Sequence, residues 1–439
     1  MDCIGLDDLS PVGFGCYRVK AGVAEHYAAL MHALTLGCTL IDTASNYCDG
    51  LSEELVGEVL SNAPHFPAFV VTKVGYVTHS AEELLRTAGV TSEQLYPISG
   101  DSKYSMSPDI LKIQLTVSLR RLRRARLDAL LLHNPEHYFD CEGIEKTLQG
   151  YYDRVRGAFE FFEQCVAEGK LRYYGVSSNT LAFSKAHESK TNLDCLLDAA
   201  RAVSSSHHFR LIEFPFNFAE TKALDKQANG RSLIDDIRAN GLVSIANRPL
   251  NSLRGNQTLR FATYEDERRE LDPIEAGAAY ERCVELIRDQ LASAHLPYDV
   301  MDFAVMQFLR DNWHGVEHPD TVDQIFGRHF YPFVDRLWDG SVPDEVRSAC
   351  AALHRYAKLY ARQQLSEMGQ YVRAELIQAG VIADDDTRPL AAIACDFPLQ
   401  SGIDHVVVGM RAVRYVESLR DRIPTRARHL KRQTKPITG

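Results

Sequence analysis

Polar residues able to hold, donate or accept protons recur along the first half of the chain, each behind a short apolar run. Asp42 follows Leu40-Ile41, Lys73 follows Val70-Val71-Thr72, and His133 follows Leu130-Leu131-Leu132. Ser177-Ser178-Asn179 follows Gly175-Val176, Glu213 follows Leu211-Ile212, and Asn247-Arg248 follows Ser244-Ile245. A carboxylate, an ammonium, an imidazole, hydroxyls and amides make a set suited to acid–base and hydrogen-bonding work. Singly, each has an ordinary structural role: Asp42 as a helix cap, His133 as a satisfied core histidine, Lys73 as a surface lysine. Their recurrence at successive strand ends points instead to one site, built where strands stop and loops begin. Tyr47 stands five positions after Asp42, a separation that a short loop above the second strand accommodates.

The elements that must position these residues alternate. Strand-like runs are read at Val12–Cys16, Thr39–Ile41, Phe69–Thr72, Leu127–Leu132, Leu171–Val176, Leu211–Ile212, Leu242–Ile245 and His405–Val408. Helical patterns fall between them, as in Gly22 to Leu36, where Tyr27, Leu30, Met31 and Leu34 share a stripe and Gly37 supplies a cap. Eight short apolar strands separated by helices predict an α/β fold, a closed (β/α)8 TIM barrel; an open doubly wound sheet usually repeats the unit fewer times. About 155 residues separate the seventh strand from the eighth, where a barrel unit takes a few tens. This predicts a long helical insertion before the eighth strand. Tyr280, Cys283, Val284, Ile287 and Leu291 form one stripe in it, and Val346, Cys350, Leu353, Ala357 and Tyr360 another. Within it, Met301 to Arg310 has the pattern of a barrel helix. The expected division is 1–255 for strands one to seven, 256–388 for the insertion with that helix, 389–419 for the last helix, strand and loop, and 420–439 for a basic tail. A smaller insertion spans Gly75 to Asp109.

Composition narrows the function classes. The chain has 439 residues, 45% hydrophobic and 25% charged, with a formal net charge of -10, which argues against a nucleic-acid partner. No apolar run approaches the roughly 20 residues of a membrane helix, so no membrane partner is expected. The first residues lack an export signal and the ten cysteines form no C-x-x-C pair, so a cytoplasmic location with reduced thiols is expected.

Several motifs together resemble the aldo-keto reductases. Asp42-Thr43-Ala44-Ser45-Asn46-Tyr47 with Ser52-Glu53 and Gly57 is similar to that family's signature loop, and Val71-Thr72-Lys73 to its third strand. Leu130 to His133, Gly169 to Ser177 and Val406 to Arg411 are similar to its fourth, fifth and eighth strands. The resemblance implies reduction of a small-molecule aldehyde or ketone, or the reverse oxidation of an alcohol, with hydride from NADP (NAD being the alternative). It also implies four catalytic roles. Tyr47 would be the proton donor, Lys73 the cation that lowers its pKa from near 10, Asp42 the holder of Lys73, and His133 the donor to the carbonyl oxygen. Cofactor-binding positions carried over are Ser177, Ser178, Asn179, Glu213, Asn247, Arg248, Pro249, Leu250, Gly409, Arg411 and Arg414. The match there is looser. Ser178 stands where the family has Asn, Glu213 where it has Gln, and Asn247 to Leu250 where an aromatic usually stacks. Arg411 and Arg414 favour a 2′-phosphate, and so NADP.

The resemblance leaves an alternative open: a nicotinamide-binding barrel that turns over slowly and serves as a regulatory or scaffold protein. Other motifs carry less. Gly13-Phe14-Gly15 lacks the third glycine of a dinucleotide turn. His314-Gly315-Val316-Glu317-His318 fits an inverted zinc-peptidase pattern, but Gly315 and Pro319 break the helix turn it requires, so no metal ligand is expected.

Overall fold

The computed structural model describes residues 4–87, 89–90, 95–99, 102–143, 145–183, 191–227, 229–254, 257–263 and 270–423. The basic tail read over 420–439 lies outside the described residues beyond 423. The chain folds as two compact units, one formed by Met1–Ser252 with Ala392–Gly439, the other by Leu253–Ala391.

The first unit is a closed barrel of eight parallel strands, a (β/α)8 fold. Its strands are β1 (Val12–Gly15), β2 (Leu40–Asp42), β3 (Phe69–Val74), β4 (Leu127–His133), β5 (Leu171–Ser177), β6 (Phe209–Pro215), β7 (Val243–Asn247) and β8 (His405–Gly409). Closure comes where β8 pairs with β1, Val12 opposite Val406 through Gly15 opposite Gly409. Every residue of β2, β3 and β4 is buried, which explains why these strands read as continuous apolar runs rather than alternating ones. Gly13 and Gly15 lie inside β1, and neither forms a phosphate-binding turn.

Helices α1 (Ala24–Thr35), α2 (Leu51–Asn62), α3 (Pro108–Arg121), α4 (Leu148–Ala167), α5 (Leu193–Val203) and α6 (Leu233–Ala239) separate the strands. Apolar faces hold them to the barrel. Phe159 of α4, for example, lies 5.1 Å from Tyr174 of β5 and 5.2 Å from Phe209 of β6, ring centre to ring centre. The strand starts are tied by charge: Asp128 at the base of β4 accepts from the Val70 amide at 3.0 Å and pairs with Arg124 and Arg172. The Gly75 to Asp109 segment carries a small antiparallel sheet of Tyr76–Val77, Ser102–Tyr104 and Tyr96–Ser99.

The second unit is helical. Cys283, Val284, Ile287 and Leu291 of helix Pro273–Ser293 share a buried core with Val346, Cys350, Leu353 and Ala357 of the 35-residue helix Asp344–Gln378, the two stripes the sequence presents. The segment read as a barrel helix corrects the expectation. Helix Ala304–Asn312 buries Met306 and Leu309 in this second core, and the helix that precedes β8 in the chain is Leu390–Gln400. His314 to His318 does not share one helix: Ala304–Asn312 ends before it, and His318 is the N-cap of Pro319–Ile325. Among the described residues no group of three or more His, Cys, Asp or Glu is placed to hold a metal ion. No helix among them is long and apolar enough to cross a membrane.

Candidate active site

The hydrogen-bonded ladders run farther than the apolar runs suggested. Asp42, Lys73, His133, Ser177, Glu213 and Asn247 therefore sit within the strands' C-terminal ends rather than just past them. Register fixes their level. His133 lies opposite Ser177, and Ser177 opposite Glu213, so β4, β5 and β6 present one ring of polar groups at one height. The backbone beyond β2 continues onto β3: Thr43 donates to the Val71 carbonyl at 2.8 Å and Ser45 to that of Lys73 at 3.1 Å. That docking carries Tyr47 to Lys73.

Three consecutive residues after Tyr47 have left-handed backbone, Cys48 (φ 50), Asp49 (φ 56) and Gly50 (φ 88), and turn the chain into α2. Buried Glu53 of α2 locks this turn, accepting from Thr72 Oγ1 at 2.6 Å and pairing with Arg121, which also reaches the Ser45 carbonyl. At Gly57 a side chain would stand 2.1 Å from the Arg121 carbonyl, so the close approach of α2 to the end of α3 requires glycine. Ser52, whose hydroxyl donates to the Cys16 carbonyl at 2.7 Å, Glu53 and Gly57 thus fix α2 behind the loop.

Lys73 is fully buried and is the hub of the site. Its Nζ donates to Asp42 Oδ1 at 2.5 Å, to the Thr43 carbonyl at 3.1 Å and to Tyr47 Oη at 3.4 Å, and lies 3.5 Å from Glu213 Oε2. Burial alone pushes the ammonium's pKa down, but the Asp42 and Glu213 carboxylates outweigh that and hold it above the ordinary lysine value. Burial also raises the Tyr47 phenol well above its usual value, opposed by the Lys73 charge and reinforced by the two carboxylates. Tyr47 is accordingly a protonated phenol near neutrality. The His133 ring stands edge-on to Tyr47 at 5.9 Å, and burial with the nearby Lys73 charge drives its pKa well below the usual range. It is a neutral imidazole, whose single N–H can donate. One buried site therefore combines a protonated phenol, an ammonium beside it and a neutral imidazole.

Glu213 Oε1 accepts from Ser177 Oγ at 3.1 Å and from Asn247 Nδ2 at 2.7 Å. Glu213 Oε2 and Asn247 Oδ1 are buried with no hydrogen-bond partner. The remaining expected positions are placed differently. The Ser178 hydroxyl turns to Thr180, and the exposed Asn179 gives its backbone N–H to Glu136 at 2.6 Å. Arg248, in left-handed backbone, pairs with Glu220 at 3.0 Å, and Pro249 and the buried Leu250 follow it. Gly409 ends β8, the charge of Arg411 acts on His26 of α1, and Arg414 lies 3.5 Å from Glu25 of the same helix.

Sequence reasoning missed a hydrogen-bonded chain beside His133. Asp140 Oδ2 holds His137 Nδ1 at 2.7 Å, His137 Nε2 accepts from Tyr76 Oη at 2.5 Å, and Asn134 donates to the same hydroxyl at 2.9 Å. The Tyr76 ring meets His133 edge to face at 4.9 Å and fixes its orientation. The i,i+3 spacing of His137 and Asp140, directly after the fourth strand, was the available signal.

A family model described as the aldo/keto reductase family matches residues 11–285, more than half of the chain. The chain belongs to the aldo/keto reductase family. Among its relatives, the NADP(+)-labelled aldo-keto reductase yakc of Schizosaccharomyces pombe is 28% identical over 180 residues, 40% of this chain and 44% of that protein. The D-threo-aldose 1-dehydrogenase of a Pseudomonas species is 27% identical over 180 residues, 40% of this chain and 51% of its own. This aldo/keto reductase chain thus spans about half the length of the curated relatives it matches. A solved aldo-keto reductase from Bacillus halodurans is 16% identical with a TM-score of 0.45, covering 98% of this chain and 89% of that one. The family match ends inside helix Pro273–Ser293 of the second unit.

Proposed function

We propose that this aldo/keto reductase family member is an NADPH-dependent oxidoreductase that reduces a small-molecule aldehyde or ketone to the alcohol, or runs the reverse reaction. The observation that carries the proposal is the Tyr47 phenol resting on the buried Lys73–Asp42 pair with a neutral His133 beside it. Glu213 Oε2 and Asn247 Oδ1, which make no hydrogen bond, fit the amide NH2 of a nicotinamide carboxamide, and the second N–H of the Asn247 amide, whose first goes to Glu213 as the Ser177 hydroxyl does, is a donor suited to its oxygen. When bound, the nicotinamide supplies or takes the hydride. Gly409, Arg411 and Arg414, after β8, are assigned to the phosphate end, with Arg411 and Arg414 offering positive charge to a 2′-phosphate.

The chain's own residues handle the proton. His133 donates its single N–H to the carbonyl oxygen and stabilises the negative charge that develops there. Tyr47 Oη gives its proton to that oxygen. A phenol held above its usual pKa is a weak acid, yet an alkoxide resembles hydroxide in basicity and is a stronger base than a phenolate, so the transfer runs downhill. The tyrosinate left behind sits 3.4 Å from the Lys73 ammonium, which stabilises it until a proton returns. Asp42 keeps Lys73 charged and aimed at the phenol. NADPH is expected to bind more tightly than NADH, and Arg411→Ala should narrow the gap by roughly tenfold, as loss of one charge-assisted bond implies. Fluorescence titration with both nucleotides checks this; equal affinities in the unmodified protein would remove the phosphate assignment.

A further inference from the structure

Lys73 answers to two carboxylates, not one. Asp42 Oδ1 at 2.5 Å and Glu213 Oε2 at 3.5 Å share its Nζ, and all three side chains are buried. With both acids ionised the cluster carries a net charge of -1 (two carboxylates against one ammonium) on three buried side chains. An uncompensated buried charge is costly, and it is removed either by a bound proton or by a cation. β3 brings Lys73, β2 brings Asp42, and the loop after β2 brings Tyr47, a protonated phenol. β5 and β7 bring the neutral donors Ser177 and Asn247. Cys16, after β1, lies near Asp42 and Lys73, and burial keeps its thiol protonated. Lys73 is thus the one cation among these neighbours.

Resting on the nicotinamide reading above, we propose that Glu213 makes this site a proton-linked discriminator of the cofactor's oxidation state. The Asp42 carboxyl keeps a proton while Lys73 is the one cation facing it and Glu213, and that proton leaves to solvent when the positively charged, oxidised nicotinamide docks beside Glu213. The reduced ring is neutral and leaves the proton in place. Oε2 of Glu213, which makes no hydrogen bond and lies 3.5 Å from Lys73 Nζ, is the acceptor suited to the carboxamide, and that amide is bonded directly to the ring. A carboxamide held there would bring the ring's charge near the carboxylate, where a charge–charge interaction would be felt as a tenfold or larger change in affinity. Burial and the neighbouring Glu213 push the Asp42 carboxyl up to about 8 against the pull of Lys73, which puts the release of its proton in the neutral range.

The sign follows. Where the proton is bound, the oxidised cofactor must expel it, so affinity for NADP+ rises with pH by up to about tenfold per unit and levels off once the cluster has ionised. Affinity for NADPH stays flat. Titration calorimetry of the full chain, repeated in buffers of different ionisation heat, counts the protons exchanged. About one proton should leave per NADP+ bound near pH 7, and close to none per NADPH. Glu213→Gln keeps the shape and removes the charge. It should abolish the proton release and, at pH 8, weaken NADP+ binding on the order of tenfold more than it weakens NADPH binding, since both forms lose the same carboxamide acceptor and only the oxidised ring loses a charge partner. NADP+ binding without proton release in the unmodified chain, or an unchanged NADP+ to NADPH affinity ratio in the variant, overturns the role of Glu213 and leaves the reductase reading standing. If neither nucleotide binds, both fall. Should the variant not fold, the proton count in the unmodified chain decides alone.

Discussion

Replacing Tyr47 with Phe is expected to lower kcat for carbonyl reduction by roughly a hundredfold to ten-thousandfold, the range a positioned proton donor contributes. The change removes one oxygen and leaves the ring that packs edge-on against His133 and Tyr17. Cofactor affinity should therefore move by less than about threefold, because Tyr47 is not among the groups assigned to the nucleotide. Lys73 loses only its longest hydrogen bond, at 3.4 Å, and keeps Asp42 and the Thr43 carbonyl, so folding should be little affected. Steady-state kinetics with a nucleotide titration tests both halves. Near-normal turnover would place the proton donor elsewhere, and Tyr76, hydrogen-bonded to His137 beside His133, would be the next group to remove.

Lys73→Met should damage both activity and stability. Removing one partner of a buried ion pair typically costs about 3–5 kcal/mol, and here the loss strands two carboxylates, Asp42 and Glu213, in a buried site. The sign of the pH dependence separates this from a simple packing defect. Burial and Glu213 already raise the Asp42 carboxyl against the pull of Lys73, and losing the ammonium raises it further, so the folded state binds a proton that the unfolded chain has already released. Stability of the variant should then fall as pH rises from 5 to 8, and its deficit against the unmodified protein should be larger at pH 8. Denaturant midpoints at the two pH values measure this; a deficit independent of pH would mean that the carboxylates are not what Lys73 stabilises.

Much of this arrangement was legible in the sequence, for a physical reason. Parallel strands buried on both faces must be apolar throughout, so β2, β3 and β4 stand out as runs, and an ionisable residue at the end of each is conspicuous. That Asp42, Lys73 and His133 meet follows once the barrel closes. The second carboxylate on Lys73 was not legible: Glu213 lies 140 positions further along, and only the register of β6 against β5 delivers it. The turn after Tyr47 announces itself at Gly50 alone, since nothing in Cys48 or Asp49 signals left-handed backbone. Helix Ala304–Asn312 shows the limit of periodicity. An apolar stripe says that a face is buried, but not against what, and this stripe belongs to the core of the second unit.

The most direct test of the central claim is consumption of NADPH by the purified full chain, followed by absorbance, across a panel of aldehydes, ketones and sugars. At least one carbonyl compound should be turned over, with the activity lost in Tyr47→Phe. A chain that binds NADPH tightly yet oxidises it with no member of the panel would contradict the account, and would make the barrel a nicotinamide-binding regulatory protein instead of a reductase.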